Sequence, residues 1–201
     1  MTQIEPKITV IISVYNGARN LQRCIDSVAG QEYIDKELVI MDGGSTDGTP
    51  NILEASDDSI SYWESEPDGG IYHAWNKALQ HASGDWICFL GADDYLYSSK
   101  VLNDMSARLA AAYPKVRVVY GRVEIRDHGG RQVATIGEPW EVARKEFFER
   151  MNIPHPGTFQ HRSLFEEHGH FDETFRIAGD YELLMRELKE RSALFVDTPV
   201  S

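Results

Sequence analysis

Little in this sequence is basic, sulphur-containing or continuously apolar, and each shortage removes a class of function. Lysine and arginine together number 20 against 32 aspartates and glutamates, a formal net charge of −12. So acidic a chain lacks the basic footprint of a general nucleic-acid binder, although a metal and local donors would still let it hold an anionic small ligand. Only two cysteines occur, Cys24 and Cys88, in apolar surroundings and without metal-ligand spacing. They are expected to be buried free thiols in a reducing cytoplasm. No apolar run approaches the roughly 20 residues that span a bilayer. Met1–Lys7 is polar and Ile8–Val14 is short, so no signal peptide is expected and the protein is expected in the cytoplasm, at most peripheral at the inner face of a membrane. Repeats and low-complexity tracts are missing too.

What is present is strand–helix alternation. Lys7–Val14 is β-branched and almost wholly apolar, and Leu21, Cys24, Ile25 and Val28 then recur at helical spacing. Glu37–Met41 and Ile60–Glu64 read as further strands. Thr49-Pro50 reads as an N-cap and first turn leading into Asn51–Ala55, and Ile71–Ala82 as an amphipathic helix. Trp86–Leu90 is a short apolar run bounded by glycines, suited to a strand covered on both faces. A helix follows from about Lys100 to Ala112. Four such units predict a mostly parallel sheet flanked by helices, an α/β fold with polar, Gly-rich loops at one edge.

After Pro114 the pattern becomes mixed. Val116–Tyr120 predicts a strand, and Val123–Ile125 with Gln132–Ile136 a hairpin around His128-Gly129-Gly130. Glu141–Met151 predicts a basic amphipathic helix, either packed on the core or lying on an anionic membrane surface. Ile153–His161 reads as irregular, Ser163–His168 and Gly179–Arg191 as helices, and Ala193–Val196 as a last strand. A single domain is expected, with a nucleotide-binding half over about 7–112 and an acceptor half over about 113–201 that ends within a connection.

The end of the Trp86 strand is where chemistry is expected. Gly91-Ala92-Asp93-Asp94 places two adjacent carboxylates at the carboxyl end of a strand, the side on which open α/β sheets bind ligands. Paired carboxylates repel each other, and a divalent cation relieves the repulsion while gripping a phosphate-bearing ligand. One of them capping the next helix would be the plainer explanation.

Four motifs in order resemble a family 2 glycosyltransferase of the GT-A fold: Ile11-Ile12-Ser13-Val14-Tyr15-Asn16, Met41-Asp42-Gly43-Gly44-Ser45-Thr46-Asp47-Gly48-Thr49, Gly91-Ala92-Asp93-Asp94 and Ala178-Gly179-Asp180-Tyr181-Glu182. Glu66-Pro67-Asp68-Gly69-Gly70-Ile71-Tyr72-His73-Ala74-Trp75-Asn76-Lys77-Ala78 resembles a subgroup that makes bacterial surface polysaccharides of the colanic-acid type. The resemblance implies metal-dependent, inverting transfer of a sugar from a nucleoside-diphosphate donor, usually UDP-linked, to a glycan or lipid-linked acceptor hydroxyl. It implies that Ser13 and Tyr15 line the nucleotide pocket and that Asp42 accepts a hydrogen bond from the base. Asp68, Asn76 and Lys77 would reach the donor, and His155 the acceptor or diphosphate. Asp93 and Asp94 would carry Mg²⁺ or Mn²⁺, with Asp93 also counted among the donor contacts. Asp180 would be the general base. Gly91 stands where the family commonly has a first aspartate, and Gly43 where it commonly has a second carboxylate. Asp47 is expected as a turn or capping residue.

Two other readings stay open. A nucleotidyltransferase shares the α/β half and the paired carboxylates, but Tyr15-Asn16-Gly17-Ala18-Arg19 is a poor phosphate loop. A nucleotide-sugar-binding module without turnover is suggested by Gly91 alone.

Overall fold

The computed structural model describes residues 5–127 and 129–201. Strands β1 (Ile8–Val14), β2 (Lys36–Asp42), β3 (Tyr62–Ser65) and β4 (Trp86–Gly91) alternate with helices α1 (Leu21–Ala29), α2 (Thr49–Ala55) and α3 (Ile71–His81), and α4 (Val101–Ala112) follows β4. Beyond them come β5 (Val118–Arg126), β6 (Gln132–Ile136), α5 (Trp140–Phe147), β7 (Thr158–His161), α6 (Arg162–His168), α7 (Gly179–Leu188) and β8 (Leu194–Pro199). One sheet runs β3-β2-β1-β4-β7-β5-β6, with β8 beside β5. The β3-β2-β1-β4 half is wholly parallel, whereas β7 is antiparallel to both β4 and β5. This is the α/β architecture that the strand–helix alternation predicts.

Period-two patterning explains how both faces are covered. Trp86, Cys88 and Leu90 of β4 join Ile8, Val10, Ile12 and Val14 of β1 in a core shared with α1 and α4. Ile87 and Phe89 point the other way, into a core built with Tyr72, Ala74 and Trp75 of α3 and with α5, α6 and α7. Successive strand side chains must alternate faces, so near-continuous apolar strands are stable only when helices cover each side.

Register brings the site together. Ser13 lies opposite Met41 and Gly91, and Val14 opposite Asp42, which in turn lies opposite Ser65. The ends of β1, β2, β3 and β4 therefore share one edge of the sheet.

Four local expectations are corrected. Thr158–His161 is not irregular but a strand in the middle of the sheet. Its four residues, behind two prolines, are too few to show a period. Val116–Tyr120 and Val123–Ile125 merge into β5, because Gly121 lets the strand pass the backbone of Thr198: a Cβ there would lie 2.5 Å from that carbonyl oxygen. Helix α5 stops at Phe147, and Arg150 beyond it pairs with Glu146, so no uniformly basic face is formed. Thr49 is not the N-cap of α2 but its first residue. Asp47 makes the turn expected of it, accepting from the Thr49 amide at 2.9 Å, and Gly48 stands at the N-cap. His128, expected at the tip of the β5–β6 hairpin, lies outside the described residues. Cys24 and Cys88 are free and buried, as expected; burial and the nearby Asp94 raise both thiols, Cys88 to about 12, so neither is a ready nucleophile.

Candidate functional site

A cleft of about 490 Å³ opens at the shared strand edge, lined by Ser13, Tyr15, Gly43, Asp68, Ile71 and Ala74 among others. Ser13 is half-buried, while the Tyr15 ring is 67% exposed at the mouth with room to stack on a base. Asp68 is held by the Gly70 amide at 2.8 Å, and its other carboxylate oxygen lies 3.0 Å from where a Cβ at position 43 would stand. A side chain at position 43 would therefore press on the Asp68 carboxylate.

Asp42 sits at the end of β2, buried, accepting from the amide and hydroxyl of Ser45 and from the Ser65 hydroxyl at 2.6 Å. These donors engage both of its oxygens, and its neighbour Gly43, not Asp42 itself, lines the cleft. The neighbouring β1–α1 loop is stitched to the β2–α2 loop through its own amides. Asn16 N–H donates to Ser45 Oγ, Gly17 N–H to Thr49 Oγ1 and Ala18 N–H to Asp47 Oδ2. A phosphate loop needs those amides free, so this observation stands against the nucleotidyltransferase reading.

Two expected donor contacts are directed elsewhere. Asn76 is buried and its amide is fully engaged: Nδ2 donates to the Phe171 carbonyl at 2.9 Å and to Glu173 at 2.8 Å, while Oδ1 accepts from the Phe171 amide at 3.0 Å. It fastens α3 to the chain ahead of α7. Lys77 pairs with Glu64 at the outer strand β3, which raises the lysine and lowers the carboxylate. Helical geometry is the reason: residues 71 and 74 share the face toward the cleft, and 76 and 77 turn away from it.

At the end of β4, Asp93 is exposed and Asp94 half-buried. Asp94 folds back to accept from the Gly91 amide at 3.1 Å. Burial raises its carboxyl, the Gly91 amide opposes that, and the adjacent negative Asp93 adds to the rise. A Cβ at Gly91 would stand 2.9 Å from Asp93 Oδ1 and 3.0 Å from Asp94 Oδ2, so both carboxylates converge on the space that the glycine leaves open. Two converging oxygens, mutually repelling and one of them partly desolvated, suit a hard divalent cation that completes its shell with waters and phosphate oxygens. Among the described residues no third His, Cys, Asp or Glu joins them.

Across α3 lies the second half of the site. Asp180, in the first turn of α7, accepts from the Tyr72 hydroxyl at 3.2 Å. His155, in the 3₁₀ turn His155–Gly157, stacks near Trp75 and Phe89 with ring centres 5.1 and 5.6 Å away. Burial lowers its imidazole and the Asp180 charge opposes the shift, so the two lie within electrostatic reach. His155 also borders a cleft of about 580 Å³ walled by Ile136, Met151, Ile153, Pro154 and Pro156. Helix α3 joins the two clefts: Ile71 and Ala74 face the first, while Tyr72 and Trp75 touch Asp180 and His155. Neither Tyr72 nor Trp75 is given a site role in the sequence, although both fall inside the Glu66–Ala78 run; nothing in one sequence separates an aromatic that positions a carboxylate from one that fills a core.

Residues 9–170 match glycosyl transferase family 2. The chain belongs to that family. A PGL/p-HBAD biosynthesis glycosyltransferase of Mycobacterium tuberculosis is 34% identical over 184 residues, covering 90% of this chain and 69% of the relative. Among solved structures, S. aureus TarS 1-349 in complex with UDP-GlcNAc superposes with a TM-score of 0.76 at 21% identity, over 96% of this chain and 57% of that one. The mannosyltransferase PcManGT from Pyrobaculum calidifontis, in complex with GDP-Man and Mn²⁺, gives 0.72 at 22% identity, over 96% and 55%. At such identities the likeness is one of fold. This glycosyltransferase-family chain thus spans less than two thirds of the length of those structures, and no helix among its described residues is long and apolar enough to cross a membrane.

Proposed function

We propose that this chain transfers a sugar, with inversion, from a UDP-linked donor to an acceptor hydroxyl in the synthesis of a bacterial surface glycan or glycolipid. The observation that carries the reading is the joining of two sites by α3: a cleft at the ends of β1 and β2 on one side, and a carboxylate paired with Tyr72 on the other. Residues 7–112 hold the donor and residues 113–201 supply the acceptor side. Tyr15 stacks on the base, Ser13 and Asp68 line the rest of the pocket, and Asp42 orders the loop behind it through Ser45 and Ser65. Asp93 and Asp94 hold a divalent cation, which when bound stabilises charge on the departing diphosphate as a Lewis acid. Asp180 takes the proton of the acceptor hydroxyl, which is too weak a nucleophile until that proton has a destination. His155, kept neutral by burial, serves as a hydrogen-bond partner to the acceptor. The cleft beside it, where Ile136, Met151 and Ile153 stand together with Glu138, Arg150 and Asn152, suits an acceptor with both an apolar and a polar portion, such as a lipid-linked glycan, at the inner face of a membrane.

The test is thermal denaturation with UDP, GDP and their sugars, each with Mn²⁺ or EDTA. A ligand at 100 times its Kd stabilises the folded state by about 2.7 kcal/mol, some 5–10 °C for a chain of this size. A rise with UDP or a UDP-sugar that needs Mn²⁺ supports the reading. No shift with any nucleotide overturns it, and binding with no sugar transfer or donor hydrolysis in any condition favours a binding module instead.

A further inference from the structure

Tyr72 makes two hydrogen bonds at the start of α7, and their direction follows from chemistry. The Gly179 backbone N–H can only donate, and it reaches the Tyr72 hydroxyl oxygen at 2.8 Å. A phenol has one proton, and the other polar neighbour, Asp180 Oδ1 at 3.2 Å, is an acceptor when ionised. That proton therefore goes to Asp180. Asp180 Oδ2 has no hydrogen-bond partner among the described residues, and the residue is only half-buried. Its two oxygens thus differ, one tethered and one open.

Tyr72 is itself held in place. It is 5% exposed, stacked on Phe171 with ring centres 5.8 Å apart and edge-on to Trp75 at 5.5 Å. Gly179 packs directly on the ring: a Cβ there would come within 2.8 Å of it. The preceding Ala178 takes a left-handed conformation, φ 67°, a costly choice for a residue with a Cβ. It delivers the Gly179 amide to the phenol.

We propose that Tyr72 is the positioning residue of the reaction, orienting the Asp180 carboxylate so that Oδ2 alone faces the acceptor hydroxyl. The inference rests on the proposed role of Asp180 as base and adds which oxygen acts and what aims it. Tyr72 transfers no proton. Burial and the charge of Asp180 both raise its phenol, so it stays a donor throughout. The other titratable group facing Asp180 from another element is His155, whose imidazole burial lowers; on α7 itself Glu182 and Arg186 pair with each other at 2.9 Å.

Two readouts test this. In protein carrying ¹³C-labelled tyrosine, the Tyr72 hydroxyl proton is expected as a slowly exchanging NMR resonance that moves upfield in Asp180→Asn and exchanges rapidly in Asp180→Ala. A resonance unmoved by either substitution overturns the inference, whatever the enzyme's activity. The second readout is release of UDP from UDP-N-acetylglucosamine with Mn²⁺. Tyr72→Phe keeps the ring and its stacking, and is expected to lower kcat about tenfold or more with little change in KM for the donor, at an unchanged fraction of folded protein. If Asp180→Asn abolishes release while Tyr72→Phe keeps the wild-type kcat, the inference falls and the base stands. If Asp180→Asn keeps wild-type turnover, the base assignment falls and takes the inference with it.

Discussion

Asn76 and Gly91 show how far a residue's role depends on what stands beside it. Asn76 is expected from the family resemblance to reach the donor, yet its three hydrogen bonds all go to Phe171 and Glu173. Asn76→Ala would leave the buried Phe171 amide and carbonyl without these partners, and is expected to destabilise the fold by about 2–4 kcal/mol in urea titration. Its Kd for UDP with Mn²⁺, measured by calorimetry on the folded variant, should stay within about twofold of wild type. Gly91 poses the opposite case. Restoring the family's aspartate with Gly91→Asp inserts a Cβ against both Asp93 and Asp94. The expected result is weaker metal-dependent nucleotide binding, by about tenfold or more, where a simple comparison with the family would expect a gain. Tighter binding in the same calorimetric titration would show that the open space is a defect and not an adaptation.

Between elements, Glu37 is the tie that holds the edge of the sheet opposite the cleft. From β2 it accepts from Thr9 Oγ1 of β1 and from Ser83 and the Gly84 amide ahead of β4, and it pairs with Lys7 at 2.7 Å. Burial would raise this carboxyl, but the hydrogen bonds from Lys7, Thr9 and Ser83 outweigh it and bring it down to about 2. A lowered value means that the unfolded chain binds the proton first, so the stabilisation is complete above the ordinary glutamate value near 4.5 and fades as pH falls toward 2. Unfolding free energy is expected to drop by about 2 kcal/mol across that window on this account. Glu37→Gln should flatten that part of the curve in chemical denaturation followed from pH 6 to pH 2. An unchanged slope would show that the acid sensitivity comes from other carboxylates.

Over the whole molecule, a net charge of −12 meets a donor whose diphosphate is also negative. The Asp93–Asp94 pair adds to the repulsion, which the proposed cation would relieve. EDTA is therefore expected to weaken UDP binding by about tenfold or more. In EDTA, raising the salt from about 0.01 to 0.15 M should strengthen the remaining binding, because the Debye length falls from about 30 to 8 Å and the protein's field is screened. Weakening by salt instead would point to an uncompensated cationic contact that the cleft lining does not contain.

Much of this protein was legible in its sequence. Near-continuous apolar runs alternating with helical spacing, punctuated by Gly-rich loops, determine strands β1 to β4, their covering helices and the strand ends near which Ser13, Asp42, Asp93 and Asp94 stand. These features are local, and each is carried by a few consecutive side chains. Only the tertiary structure decided what depends on residues far apart along the chain. The four residues of β7 form a central strand because β4 and β5 present open edges to them, not because of their own pattern. Asn76 and Lys77 are held away from the cleft because packing brings Phe171 to the one and Glu64 of β3 to the other. Tyr72 meets Asp180 across 108 positions of sequence, a contact created by packing α3 against α7, which no periodicity in either helix contains.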